Sequence, residues 1–217
     1  MKDDLLTIKP YEIEERSFEI IDSEVPEPRP FEGAQWEIVR RMIHTSADFE
    51  MLSLVKFHPS AVDAGIKALL DGCIVVTDTN MARAGITSGR MDRLGCRVEC
   101  FMKDERVRQI ASDQWITRAH AAVDLACPHL DGGIYVVGNA PTALMRLLDY
   151  VKEKRCSPSL IVGMPVGFVN AAESKDALMM QEDVPYITIK GRKGGSALAA
   201  AVVNQLAVIA LREGGEK

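Results

Sequence analysis

From Cys73 onward the chain alternates short apolar runs with longer amphipathic stretches, and this rhythm constrains the fold more than any other feature. Cys73–Thr77 (CIVVT), Arg97–Phe101 (RVECF), Ile134–Val137 (IYVV), Leu160–Val162 (LIV) and Tyr186–Ile189 (YITI) read as five strands. The strongest of them are apolar throughout rather than at every second position, which is the pattern of strands covered on both faces. Helical periodicity falls between and after them, at about Glu105–Ala111, Thr117–Ala126, Thr142–Val151, Ala171–Met180 and Ala197–Leu211. Strand–helix alternation predicts a mainly parallel five-stranded sheet with helices on both faces, a flavodoxin-like three-layer α/β/α core.

Before Cys73 the periodicity is helical. Tyr11 to about Val25 carries Ile13, Ser17 and Ile20/Ile21 on one stripe. Pro26-Glu27-Pro28-Arg29-Pro30 cannot continue a helix and reads as a stiff connector. A second helix runs from Trp36 to His44. A third follows Ser60, with Val62, Ile66 and Leu69/Leu70 as its apolar stripe and Gly72 placed to end it. The expectation is one domain over residues 1–217, with a helical part (1–72) preceding any strand and an α/β core (73–217). The polar tail Arg212–Lys217 is expected to fray.

Composition narrows the function. The chain has 217 residues, 26% of them charged, and a net charge of −5, which does not suggest a nucleic-acid-binding face. No run approaches ~20 uninterrupted apolar residues, and Met1-Lys2-Asp3-Asp4 is not followed by an apolar leader, so neither a membrane span nor a signal peptide is expected. The five cysteines make no CxxC pair. Cys96 and Cys100, on one predicted strand, would stand ~13 Å apart, too far for a disulfide. Reduced thiols and a cytoplasmic setting follow. His44, His58, His120 and His129 lack zinc spacing, so no metal site is expected.

In an open parallel sheet, ligands bind beyond the carboxyl ends of the strands, where strand order reverses. The segments there are Asp78-Thr79-Asn80, Gly138-Asn139-Ala140-Pro141-Thr142, Gly163-Met164-Pro165-Val166-Gly167 and Gly191-Arg192-Lys193-Gly194-Gly195-Ser196. Two of them run from a strand into a helix start, where free N–H groups and the helix dipole attract anions. No phosphate fingerprint is present, neither GxxxxGK[ST] nor GxGxxG, so the anion could equally be a carboxylate met by Arg41, Arg118, Arg192 or Lys175. Near the other end, Glu37, Arg41 and His44 fall at i,i+4 and i,i+3 spacing and can share one helix face. That face offers a fixed cation beside an imidazole able to exchange a proton near neutrality. Ser17, polar on an apolar stripe, could bond back to a carbonyl one turn earlier or present its hydroxyl to a ligand.

Several segments together resemble the precorrin-8X methylmutase family. They are Glu15-Arg16-Ser17-Phe18, Val39 to His44, Gly138 to Leu144, Gly163 to Val169, Ala172 to Leu178, and Gly191-Arg192 with Gly194 to Ala197. The resemblance implies a flavodoxin-like homodimer and an isomerase of cobalamin biosynthesis that moves a methyl group from C-11 to C-12 of a tetrapyrrole by a 1,5-sigmatropic shift. The substrate would be precorrin-8X or cobalt-precorrin-8, and the product, hydrogenobyrinate or cobyrinate, would be tightly held. It further implies His44 as the catalytic residue and Ser17 and Arg41 as substrate contacts, with no cofactor. Arg118, Asn139, Gly163, Arg192, Gly194 and Gly195 are the further expected substrate contacts. The alternative is a corrinoid carrier without catalysis. A phosphosugar or nucleotide enzyme is disfavoured by the missing phosphate motifs.

Overall fold

The computed structural model describes residues 9–215. Met1–Asp4 and the last two residues of the tail, which the sequence reading touched, lie outside them. The helical start comprises α1 (Pro10–Glu24), α2 (Gly33–Ser46) and the single turn α3 (Met51–Leu54). There follow β1 (Val55–Phe57), α4 (Ala61–Leu70), β2 (Ile74–Thr77), α5 (Asn80–Gly85), α6 (Ser88–Arg93), β3 (Arg97–Glu99), α7 (Glu105–Gln114) and α8 (Arg118–Ala126). The chain ends through β4 (Ile134–Val137), α9 (Pro141–Lys152), β5 (Leu160–Gly163), α10 (Ala171–Met180), β6 (Tyr186–Ile189) and α11 (Ser196–Glu213).

The sheet has six strands in the order β1-β6-β5-β4-β2-β3. Five are parallel. The sixth, β1, pairs antiparallel with β6 through Val55↔Ile189 and Phe57↔Ile187. This corrects the expectation of five strands, and of a purely helical segment before Cys73. Val55 is buried, Lys56 exposed and Phe57 half-buried, so β1 does alternate. Three residues are too few for that alternation to stand out in the sequence. The short helices α3, α5 and α6 escaped the sequence reading for the same reason. The thiols are all free. Cys96 and Cys100 flank β3 rather than lying within it, and Cys96 Sγ donates to the Leu69 carbonyl at 3.3 Å.

Alternate residues of the four central strands feed two apolar layers. Val75, Ile134, Val136, Leu160, Val162, Ile187 and Ile189 pack with α2, α4 and α11. Val76, Tyr135, Val137 and Ile161 point the other way, into α8, α9 and α10. Both faces are therefore covered, as continuous apolar strands require. Strand order reverses between β2 and β4: β2 leads outward to β3, whereas β4 leads through β5 to β6.

Helix α11 is the centre of the first layer. It lies against α2, α4, α5 and α6. Its length and mean hydropathy of 1.3 would suffice to cross a membrane, but 67% of the 18-residue segment is buried inside this fold. Its first turn passes so close to β4 that a Cβ on Gly138 would come within 2.6 Å of Ser196 Cα. Backbone cannot yield there as a flexible side chain would. Gly138→Ala is therefore expected to cost about 1–3 kcal/mol, as overpacking does. Urea denaturation should show a lower midpoint at unchanged slope.

Candidate functional site

Helix α2 buries Trp36, Ile38, Val39, Met42 and Ile43 against α11 and brings its last turn to the C-terminal edge of the sheet. The two helices run antiparallel, because Glu37 meets Arg212 while Arg41, one turn later, meets Gln205. The helix, expected to stop at His44, continues through Thr45 and Ser46. Their hydroxyls donate back to the carbonyls of Arg41 and Met42, each at 2.8 Å. The stop comes at Ala47, which takes the left-handed conformation with φ 52° and donates its N–H to the Ile43 carbonyl.

His44 stands in that last turn. Its Nδ1 is 2.7 Å from the Ser17 hydroxyl of α1. Among the described residues Ser17 makes no bond back to its own helix. Phe18 meets the imidazole edge-on at 5.5 Å. Beside the pair lies a groove of about 380 Å³ whose lining includes Ile13, Ile20, Ile43, Ala47 and Phe49. Ile13 and Ile20, read as part of an apolar stripe, stay 56% and 46% exposed. Only Ile21 of that stripe enters the core.

Arg41 lies one turn before His44. It donates through Nη1 to Glu14 of α1 and through Nε to Gln205 Oε1 of α11 at 3.1 Å. Its guanidinium also covers the Phe18 ring at 4.8 Å. Glu37, expected on the same helix face, is not bonded directly to Arg41. It accepts from Gln205 Nε2 and from both terminal nitrogens of Arg212. Arg41 beside Glu14 holds that carboxyl below its ordinary range, and His44 and Arg90 act in the same direction against burial.

The loops at the strand ends have specific occupants. Asp78, at the end of β2, is buried and fills the crevice at the strand-order reversal. Its Oδ1 accepts from Gly138 N–H at 2.8 Å, and its Oδ2 from Asn139 and Ala140 N–H at 2.9 and 2.7 Å. Burial pushes the Asp78 carboxyl up, and the three donors oppose that shift. The N–H groups that looked like an anion site are thus already taken by the chain's own carboxylate. Gly163 lies within β5, with its carbonyl accepting the Thr188 hydroxyl and a Cβ excluded by Leu178. Gly194 packs on the carbonyls of Met164 and Pro165, and Gly195 N–H donates to Met164 at 2.9 Å. These glycines let two loops touch.

The cations are divided. Lys193 donates to Asp48 and Glu50 and holds the Asp48 carboxyl below its ordinary range. Arg192 is exposed over the Phe168 ring at 5.4 Å. Arg118 is exposed at the first residue of α8. With Asn139, Pro141, Val166 and Phe168 it lines a second groove of about 600 Å³. Helices α9 and α10 follow the loops of this second groove and cover the opposite sheet face from α2. His44, Ser17 and Arg41 therefore form one group, while Arg118, Asn139 and Arg192 form another along the same C-terminal rim. Among the described residues no group of three or more His, Cys, Asp or Glu is arranged to hold a metal ion.

Gln205 and Glu14 were missed in the sequence. A signal existed for Gln205, a polar side chain within the apolar run of α11. Lys175, read as a carboxylate donor, is buried, with Nζ donating to the Lys193 carbonyl at 2.6 Å. Burial lowers its pKa from 10.5 to about 8. Between those values the unfolded chain binds more protons than the folded one, so stability should rise with pH across about 8 to 10.5. Lys175→Met removes this titration. The melting temperature of the wild type relative to that variant is expected to climb over this window and to be flat below it, in a pH series of thermal melts.

The sequence pattern of the family described as precorrin-8X methylmutase matches residues 12–209. A cobalt-precorrin-8 methylmutase of Priestia megaterium is 43% identical over 205 residues, covering 94% of this chain and 90% of its own length. A precorrin-8X methylmutase of Sinorhizobium is 39% identical over 196 residues, covering 90% and 92%. The solved structure of a precorrin-8x methyl mutase from Thermus thermophilus superposes with a TM-score of 0.86 at 42% identity, covering 94% of this chain and 98% of that one. With the match spanning nearly the whole chain, including the helices that carry Ser17 and His44, the protein belongs to the precorrin-8X methylmutase family.

Proposed function

We propose that this chain is an isomerase of cobalamin biosynthesis, moving a methyl group from C-11 to C-12 of precorrin-8X or cobalt-precorrin-8 to give hydrogenobyrinate or cobyrinate. Family membership supports the reaction. The observation that carries the site is the Ser17–His44 pair at 2.7 Å on the wall of an apolar groove. Residues 1–217 act as one unit in this reading, the helical start supplying the proton-handling group and the α/β core holding it still.

The rearrangement needs no nucleophile. It needs the conjugated ring held in a reactive conformation and a proton or hydrogen bond delivered to one ring nitrogen. Ser17 occupies His44 Nδ1, which leaves Nε2 for the substrate. With the Ser17 hydroxyl donating to Nδ1, the neutral imidazole carries its proton on Nε2 and can offer it. In that form Nε2–H donates a hydrogen bond to the ring nitrogen; full transfer of a proton starts instead from the imidazolium, whose Nδ1–H donates to the Ser17 oxygen, and leaves a neutral imidazole whose Nε2 takes the proton back once the methyl group has moved. Such acid–base assistance is worth about 10²–10⁴ in rate. The apolar lining excludes water and fixes the ring, and orientation of this kind supplies much of the remaining acceleration.

The substrate's acetate and propionate carboxylates need cations at the rim. Arg41 stands beside the imidazole, and Arg118 and Arg192, both exposed, carry no ion pair among the described residues. Asn139 offers its side chain, since its N–H is committed to Asp78. Gly163, Gly194 and Gly195 serve the site by shaping the loops. We further infer a homodimer that retains the corrin product, supported by exposed Ile13, Ile20 and Phe49 around the groove. Light scattering during size exclusion checks the dimer.

His44→Ala is expected to fold and bind macrocycle while turnover falls about 10²–10⁴-fold. Ser17→Ala, which removes one orienting hydrogen bond, should lower turnover by about tenfold. Conversion is followed by the change from the precorrin absorption spectrum to that of a corrin. Normal turnover by His44→Ala would remove His44 from the mechanism. A wild type that binds the substrate and leaves its spectrum unchanged would instead make the chain a carrier.

A further inference from the structure

We infer that Gln205 is a positioning residue for substrate binding: through its side-chain amide, α11 fixes the guanidinium of Arg41 so that one end stays available to a substrate carboxylate. The inference rests on the functional reading above, in which Arg41 meets the macrocycle.

Gln205 is 5% exposed and sits in the middle of the most buried helix of the fold. A buried amide is costly unless both its ends are bonded. Here both are, and the two partners dictate its orientation. Glu37 Oε2 can only accept, so the amide N–H faces it at 3.1 Å. Arg41 Nε can only donate, so the amide oxygen faces it at 3.1 Å. Glu37 is in turn held by Arg212, at 2.8 Å to one oxygen and 3.1 Å to the other. The result is a chain of alternating partners, Arg212, Glu37, Gln205, Arg41 and Glu14, that crosses from α11 to α2, back to α11, again to α2, and out to α1.

The chain fixes the guanidinium at two of its three nitrogens. Nε is bonded to Gln205 and Nη1 to Glu14. Nη2 has no hydrogen-bond partner among the described residues. Phe18 closes one face of the group. An arginine side chain has several rotatable bonds, and holding its planar fork in one orientation before the ligand arrives reduces what is lost on binding. Glu14 alone would hold only one nitrogen and would allow rotation. Gln205 supplies the second point, from the most rigid element of the fold. It touches neither the groove nor His44, so it acts through Arg41 alone.

The experiment is steady-state turnover of precorrin-8X by wild type, Gln205→Leu, Gln205→Glu and the double variant Gln205→Glu/Glu37→Gln, with thermal melts of each. Gln205→Leu keeps the volume and removes both bonds. It is expected to raise KM about tenfold, the scale of one charge-assisted hydrogen bond, with kcat changed by less than about threefold. Gln205→Glu sets two carboxylates face to face and should also raise KM. In the double variant the introduced carboxylate accepts from Arg41 Nε and from the introduced amide, and KM should recover most of the way. A clamp that merely joins α2 to α11 would lower the melting temperature and leave KM untouched. That result overturns the inference, as does a double variant no better than Gln205→Glu. Should Gln205→Leu fail to fold, the other two variants decide. A wild type without turnover overturns both this inference and the functional reading, whereas normal wild-type turnover with unaltered variants overturns this inference alone.

Discussion

A buried carboxylate must find donors, and Asp78 has taken the three that the strand-order reversal offers. Gly138, Asn139 and Ala140 all direct their N–H groups at it. In many open α/β sheets a ligand's anionic groups fill this crevice. Here an internal side chain does, and Gly138 lets the first turn of α11 close over it. Thr79 and Ser196 hydroxyls, 2.9 Å apart, complete the closure. The scaffold keeps the geometry of a ligand-binding α/β fold while the crevice itself is sealed.

With the crevice sealed, the proposed chemistry sits where two added helices meet the rim. Helix α2 is anchored along α11 by apolar contact and by the Arg41–Gln205–Glu37–Arg212 series. Helix α1 is laid on α2 by polar contacts: Ser17 to His44, Glu14 to Arg41, and Asp22 to Trp36 and Arg40. Those contacts do double duty. They fix the helix and they orient the imidazole and the guanidinium. Lys193 links the loop of β6 to the turn after α2 through Asp48 and Glu50. The rim is therefore tied to the core at several points, which suits a reaction whose main requirement is a ring held still.

Much of this was legible in the sequence, and the failures have physical causes. Four of the five parallel strands announce themselves because burial on both faces demands continuous apolar runs, as in Ile134–Val137, whereas β3 at the sheet edge has no buried residue. The edge strand β1 does not, because an edge needs only one buried residue, Val55. The Ser17–His44 contact joins residues 27 positions apart, and no periodicity encodes which helices meet. Family resemblance named both residues, but only the fold shows that they touch each other. The glycine-rich loops misled for a clear reason. Gly163 and Gly194 look like room for a ligand, yet the space they leave is filled by Leu178 and by the carbonyls of Met164 and Pro165. The sequence shows that a side chain is absent and not what occupies the gap.

In the proposed mechanism the macrocycle's reacting edge lies in the groove between α1 and the end of α2. Hydrogen–deuterium exchange of the protein with and without bound corrin product tests this most directly. Exchange should slow in residues 13–21 and 43–49, which line that groove. Slowing confined to residues 117–120 and 166–169, around the second groove, with α1 and α2 unchanged, would contradict it.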